Sequence, residues 1–211
     1  AWAQNQPDAG IARRVHFLHT RASLAALLNQ RASTRRRIIE ILNGEALYAP
    51  KEGDKSLATL REQQNLDEAI TADIAKIAAT LEALRRNGSV DAGIALLEFD
   101  FDNLDERESR LSPDAYARSG QELLQQIIDY RQTKLPALAR HPTLLRMQCH
   151  LSLLPFFNIR SVPFSDSERT RITSAISLCE GAADQQEPRA AHLLQLASIY
   201  QLSQAGRPTD A

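Results

Sequence analysis

Apolar residues recur every three or four positions along most of this chain, the period of one face of an α-helix. A first stripe holds Ile11, Val15, Leu18, Ala22 and Ala25, is widened by Leu24, Leu27 and Leu28, and resumes at Ile38, Ile39, Ile41 and Leu42. It predicts one long helix over Ile11–Tyr48. Pro50 and Gly53 then break the pattern, and Ser56 is placed to cap a second helix over Leu57–Arg86. That helix has the cleanest rhythm, with Leu57, Leu60, Ile70, Ile74, Ile77, Leu81 and Leu84 at alternating threes and fours. Both stripes have a polar gap. In the first, residues 29–37 are polar apart from Ala32; in the second, Gln63, Gln64 and Asp67 stand where the seam would continue.

If the two helices fold back antiparallel about Glu52, Arg35, Arg36 and Arg37 fall opposite roughly residues 67 to 69. The two gaps then meet as one polar layer across an apolar seam. Such a layer has two uses. Arg35 or Arg36 pairs with Asp67 and fixes the register, or Arg35, Arg36, Gln63, Gln64 and Asp67 line a ligand site. Arginine outnumbers acid there, so the ligand would be an anion.

Further along, Asn87-Gly88-Ser89 marks a helix end and Asp91 is placed to cap the next helix, which carries Val90, Ile94, Leu97, Phe101, Leu104 and Leu111. Ser112-Pro113-Asp114 starts a fourth helix that runs through Leu123, Leu124, Ile127 and Ile128 toward Leu135. Pro136 and Pro142 predict a break. Leu144–Phe157 is the most apolar stretch and is expected at the centre of a bundle. After a loop over 158–164, Ser165-Asp166-Ser167-Glu168 reads as a capping box that opens a helix ending near Gly181. A last helix is expected from Pro188 to Gln204. The fold class predicted is all-α: an elongated antiparallel bundle of about six helices. Residues 1–10 read as a leader or tether, 11–205 as the domain, with sub-bundles over 11–111 and 112–205, and 206–211 as a tail.

Composition agrees with this. The chain is 43% hydrophobic, enough for a sizeable core, and only 5% aromatic. Its formal net charge of -1 gives no global attraction to nucleic acid, and the basic run from Arg31 to Arg37 lacks interleaved aromatics, so no nucleic-acid partner is expected. Arginines crowd the first helix, whereas Glu98, Asp100, Asp102, Asp105, Glu106 and Glu108 form an acidic block in the third; the two are read as solvated faces or as pairing with each other. No apolar run is long enough to span a bilayer. Ala1-Trp2-Ala3 resembles a signal-peptide end or the exit of a membrane helix, which points to export. Cys149 and Cys179 permit one disulfide in an oxidising compartment, while two buried thiols that only pack are the alternative.

Catalytic signatures do not emerge. His16 and His19 share a helix face but lack an identifiable third ligand, so no metal is expected. The carboxylates from Asp100 to Asp105 lack the glycine and spacing of a calcium loop. Phosphate loops, nucleophile elbows and cysteines beside a base are absent as well, and neither a cofactor nor an enzymatic role is expected.

An exported start, long antiparallel helices and a polar layer in an apolar seam resemble the all-helical extracytoplasmic sensor domains of bacterial transmembrane receptors. The resemblance implies a periplasmic domain that binds a small molecule, or a periplasmic protein, between helices and pairs as a homodimer along helix one, tethered to a membrane only through spans outside this chain. Gly206-Arg207-Pro208 departs from it, since a sensor's last helix should run straight toward a second span. An exported adaptor or chaperone with an apolar groove, formed by Leu144–Phe157, is the alternative, and a small helical enzyme acting on an anion is the third.

Overall fold

All regular structure among the described residues is helical. The computed structural model describes residues 7–47, 53–107, 112–133, 135–156, 164–185, 190–191 and 193–194. Seven α-helices lie within them: α1 (Pro7–Leu47), α2 (Gly53–Arg86), α3 (Val90–Arg107), α4 (Pro113–Arg131), α5 (Pro136–Ala139), α6 (Pro142–Leu153) and α7 (Asp166–Ala183). The chain divides into two compact units, residues 1–96 and 97–211, so the boundary falls inside α3. The expected leader and tail, the loop over 158–164 and most of the last helix lie largely outside the described residues; of the leader, Pro7–Gly10 already belongs to α1.

Unit 1 is built on the hairpin of α1 and α2. α1 has 41 residues and is about 61 Å long. Its inward residues are Phe17, Thr20, Leu24, Leu27, Arg31, Thr34, Ile38 and Ile41, and those of α2 are Leu60, Gln63, Asp67, Ile70, Ile74, Ile77, Leu81 and Leu84. Both sets alternate threes and fours without a slip, the geometry of a two-stranded coiled coil. The α2 seam is the expected one, although the helix begins at Gly53 and contains Ser56 instead of starting after it.

The α1 seam is the expected one only in part: Leu24, Leu27, Ile38 and Ile41 face inward as expected. Ile11, Val15, Leu18, Ala22 and Ala25 are all exposed, and the buried face starts at Phe17. Two apolar stripes of helical period run along α1 and both continue at seven-residue steps; the one that packs on α2 carries Phe17, Leu24 and Ile38, the other Ile11, Leu18, Ala25, Ala32 and Ile39. Phe17 and Leu24 remove more apolar surface from water than Ala22 and Ala25 can.

α2 stops through a Schellman arrangement. Gly88 adopts a φ of 87°, its N–H donates to the Arg85 carbonyl at 2.9 Å, and the Ser89 N–H donates to that of Leu84 at 3.0 Å. Ser89, not Asp91, caps α3: its hydroxyl accepts from the Ala92 N–H at 3.3 Å, while Asp91 sits in the first turn.

Unit 2 is centred on α6, as the apolar run predicts. Leu144, Leu145, Arg146, Met147, Cys149, Leu151 and Leu153 are buried, so this helix is enclosed nearly all round and packs against α4 and α7. Cys149 and Cys179 are joined by a disulfide with Cα atoms 5.5 Å apart, inside a cluster with Leu153, Phe156, Phe164 and Ile172. Two caps fix the helix starts. Ser112 accepts from the Ala115 N–H before Pro113 at the head of α4, and Ser165 and Glu168 close a reciprocal capping box on α7. Arg146 is buried, directs Nη2 to Glu98 Oε1 at 3.4 Å and lies 5.3 Å above the Phe101 ring, whose edge meets His150.

Candidate functional site

The polar layer of the hairpin forms where the two gaps meet. Arg35 Nε donates to Asp67 Oδ1 at 2.9 Å, and both side chains keep about a quarter of their surface exposed. Level with them, Arg31 and Thr34 are buried and Gln63 is half-buried. Of the five residues expected at a ligand site, three thus come together (Arg35, Gln63 and Asp67). Arg36 and Gln64 are exposed: Arg36 lies two residues from both Thr34 and Ile38, and Gln64 one past Gln63, so at about 100° per residue both turn away from the seam. Arg31 and Thr34 occupy seam positions that the sequence reading passed over, and the seven-residue spacing from Phe17 and Leu24 is the signal that identifies Arg31. The charge of Arg35 is matched inside the layer, which suits register fixing better than capture of an anion.

His16 and His19 are both exposed on α1, and no cluster of three metal-ligating side chains occurs among the described residues. In the stretch Leu144–Phe157, expected to form an adaptor's apolar groove, Leu144, Leu145, Met147, Leu151, Leu153 and Phe156 are buried in the interior of unit 2, and Phe157 lies outside the described residues. No described helix is long and apolar enough to cross a membrane.

A cleft of about 600 Å³ opens in unit 2 where the end of α4 meets α5, α6 and α7. Its walls are apolar, with Ile128, Leu135, Pro136 and Leu178, and its polar groups come from three helices. Arg131, the last residue of α4, is held by neutral acceptors. One amino group donates to the Gln148 side-chain carbonyl and the other to the Ala139 backbone carbonyl at 2.9 Å. Its Nε is buried and has no hydrogen-bond partner among the described residues. Burial pushes the guanidinium pKa down from its usual value, since the charged form loses hydration.

The local sequence explains this placement. Pro136 cannot continue a helix and biases Leu135 toward an extended conformation, so α4 stops and the chain turns back through the short α5. The turn leaves Arg131 at a helix C-terminus, where a cation is favoured, facing Gln148 of α6. Gln132 and Thr133 complete the polar lining. These groups can bind and orient; among the described residues the lining contains no carboxylate, imidazole or thiol that would move a proton or attack a substrate.

Comparison of the chain with protein-family models, curated proteins and solved structures gives no match.

Proposed function

We propose that this chain is an extracytoplasmic ligand-sensing domain of a signal-transduction receptor, and that it binds a small carboxylate-bearing molecule with an apolar body in the Arg131 cleft. The observation that carries the reading is a guanidinium, partly desolvated in an apolar cleft, whose partners are neutral carbonyls and whose Nε is unsatisfied. A carboxylate supplies the negative charge that the neutral carbonyl partners of this guanidinium lack, and Ile128, Leu135 and Leu178 give its apolar portion a surface to cover. The volume suits a small organic ligand. The Cys149–Cys179 disulfide supports an oxidising compartment. In this reading the Arg35–Asp67 layer sets the register of the hairpin and does not contact ligand.

The test is a thermal-shift screen of the purified chain against aliphatic and aromatic carboxylates, amino acids, inorganic anions and metal ions, repeated with Arg131→Met. A ligand at a hundred times its dissociation constant adds roughly 2.7 kcal/mol to stability. The expected result is a shift with one class of carboxylate that disappears in Arg131→Met. Stabilisation that persists in that variant, or none with any compound, overturns the proposal.

A further inference from the structure

We infer that the outward face of α1 is a docking surface for an anionic lipid bilayer, which takes the helix lengthwise and holds α2 on the far side. The face is formed by Ile11, Val15, Leu18, Ala22, Ala25 and Ile39, all exposed. Its large side chains, Ile11, Val15, Leu18 and Ile39, keep 62%, 59%, 53% and 57% of their surface in solvent. The face lies nearly opposite the residues that pack on α2, so the hairpin is complete without it.

Charge identifies what covers this face. Between Asp8 and Glu40 the chain has no Asp or Glu, although its net charge as a whole is -1. In that span Arg31 is buried and Arg35 is bonded to Asp67, while Arg13, Arg14, Arg21 and Arg36 are exposed. Arg14 and Arg21 edge the apolar residues, and Arg36 continues their line toward Ile39. A surface that is basic and apolar at once is complemented by a partner with negative charge over an apolar layer. α2 lacks this character: Glu62 and Glu68 are exposed on it, and Lys76 is paired with Asp73. The hairpin thus has one basic side and one mixed side, which orients it on an anionic plane.

Shape and charge then decide among anionic partners. A second copy would bring arginine against arginine, since parallel helices set Arg14, Arg21 and Arg36 against their own copies and antiparallel ones centred on Ala25 set Arg14 against Arg36. Nucleic-acid phosphates offer nothing to Ile11, Val15 and Leu18. An acidic protein needs a matching surface, yet the strip is a convex ridge about 42 Å long and about 10 Å wide, well short of the roughly 800 Å² each partner gives to a stable complex. A bilayer needs no matching groove. Its headgroups part around a ridge, so the apolar side chains enter to a depth of about 5 to 10 Å while the arginines reach out to phosphate.

The experiment is flotation of the intact chain with vesicles of phosphatidylcholine, alone or with about a third phosphatidylglycerol, at about 0.05 M and about 0.5 M salt. Arg14→Gln combined with Arg36→Gln removes charge from the face, and Leu18→Ser removes apolar surface. Both leave the seam untouched, and helicity and melting are checked against the native chain. A polarity-sensitive dye on Leu18→Cys reports the face itself, with the same dye on Ala72→Cys, exposed on α2, as control.

The expected result is binding only to vesicles with phosphatidylglycerol, weakened at least about tenfold by high salt or by the double arginine variant and several-fold by Leu18→Ser. The dye should shift to the blue on Leu18→Cys and stay unchanged on Ala72→Cys. No binding, equal binding to neutral vesicles, binding indifferent to these substitutions, or a dye shift on Ala72→Cys alone overturns the inference. A dimer that shifts the dye on Leu18→Cys without lipid would replace the bilayer with a second copy.

Discussion

The two units of this chain use the same element in opposite ways. In unit 1, α1 and α2 each bury one narrow stripe and leave the rest to solvent, and a periodic seam with the Arg35–Asp67 pair across it holds them in register. In unit 2, α6 is buried nearly all round, and a disulfide ties it to α7. A narrow seam can be long and still contain nothing but its partner, whereas a helix enclosed by several short neighbours leaves corners between their ends. The Arg131 cleft is such a corner, formed where α4 ends, α5 turns and α6 and α7 pass behind. Ligand chemistry is therefore expected in the unit with the shorter helices, although the longest run of arginines is in the other.

The contrast can be broken most severely at α6. Leu144→Ala should destabilise unit 2 by about 3 to 4 kcal/mol, since its side chain is fully buried among neighbours that cannot collapse onto the gap. In hydrogen exchange this should appear as lost protection in α4, α6 and α7, with α1 and α2 little affected. Replacing both Cys149 and Cys179 by alanine reopens a loop spanning 30 residues and should cost roughly 3 kcal/mol, again confined to unit 2. Chemical denaturation followed with one probe in each unit would check this. Equal loss in both units would mean that they do not respond separately.

Smaller effects are expected in the hairpin. A double-mutant cycle on Arg35→Met and Asp67→Leu should return a coupling of about 1 kcal/mol or less, as both side chains are partly solvated and an exposed pair gains little. The double variant should nevertheless lose uniqueness of register, visible as broadened or doubled amide resonances along α1 and α2. Smallest of all, Val15→Ser in dilute chain should change stability by no more than about 0.5 kcal/mol, because that side chain touches no core.

How much of this was legible depended on which element carried the information. The α2 seam could be read directly, because Ile70, Ile74, Ile77 and Leu81 leave only one apolar face. The meeting of the two polar gaps was also accessible, for folding two helices back at a known turn fixes which positions face each other, and Arg35–Asp67 lies within two residues of that mapping. α1 misled because it has two stripes of equal period, and single-helix periodicity cannot say which of them a partner will cover. The larger side chains of Phe17 and Leu24 bury more apolar surface than Ala22 and Ala25 can, and it is their stripe that α2 covers. Ser89 and Asp91 are capping types of about equal strength, so sequence alone does not choose between them; Gly88 ends α2 so tightly that Ser89 is already in place to cap α3.

Arg131 could not have been found by spacing. Its neighbours in sequence, Gln132 and Thr133, look like an ordinary polar helix end, and its partners are Gln148 and the carbonyl of Ala139. Only the packing of four helices brings those groups to one cleft. Conversely, the run from Arg31 to Arg37 draws attention in sequence, yet Arg35 is matched to Asp67 and Arg37 to Glu40 at 3.2 Å, so much of that charge is already answered locally.

The most direct test of the ligand site is a calorimetric titration of the carboxylate that best stabilises the native chain, run in parallel on Arg131→Met and on Arg35→Met. Losing a charge-assisted contact costs on the order of 3 kcal/mol, so Arg131→Met should weaken binding by about a hundredfold while Arg35→Met binds like the native chain. Binding abolished by Arg35→Met and kept by Arg131→Met would contradict the account and return the site to the hairpin.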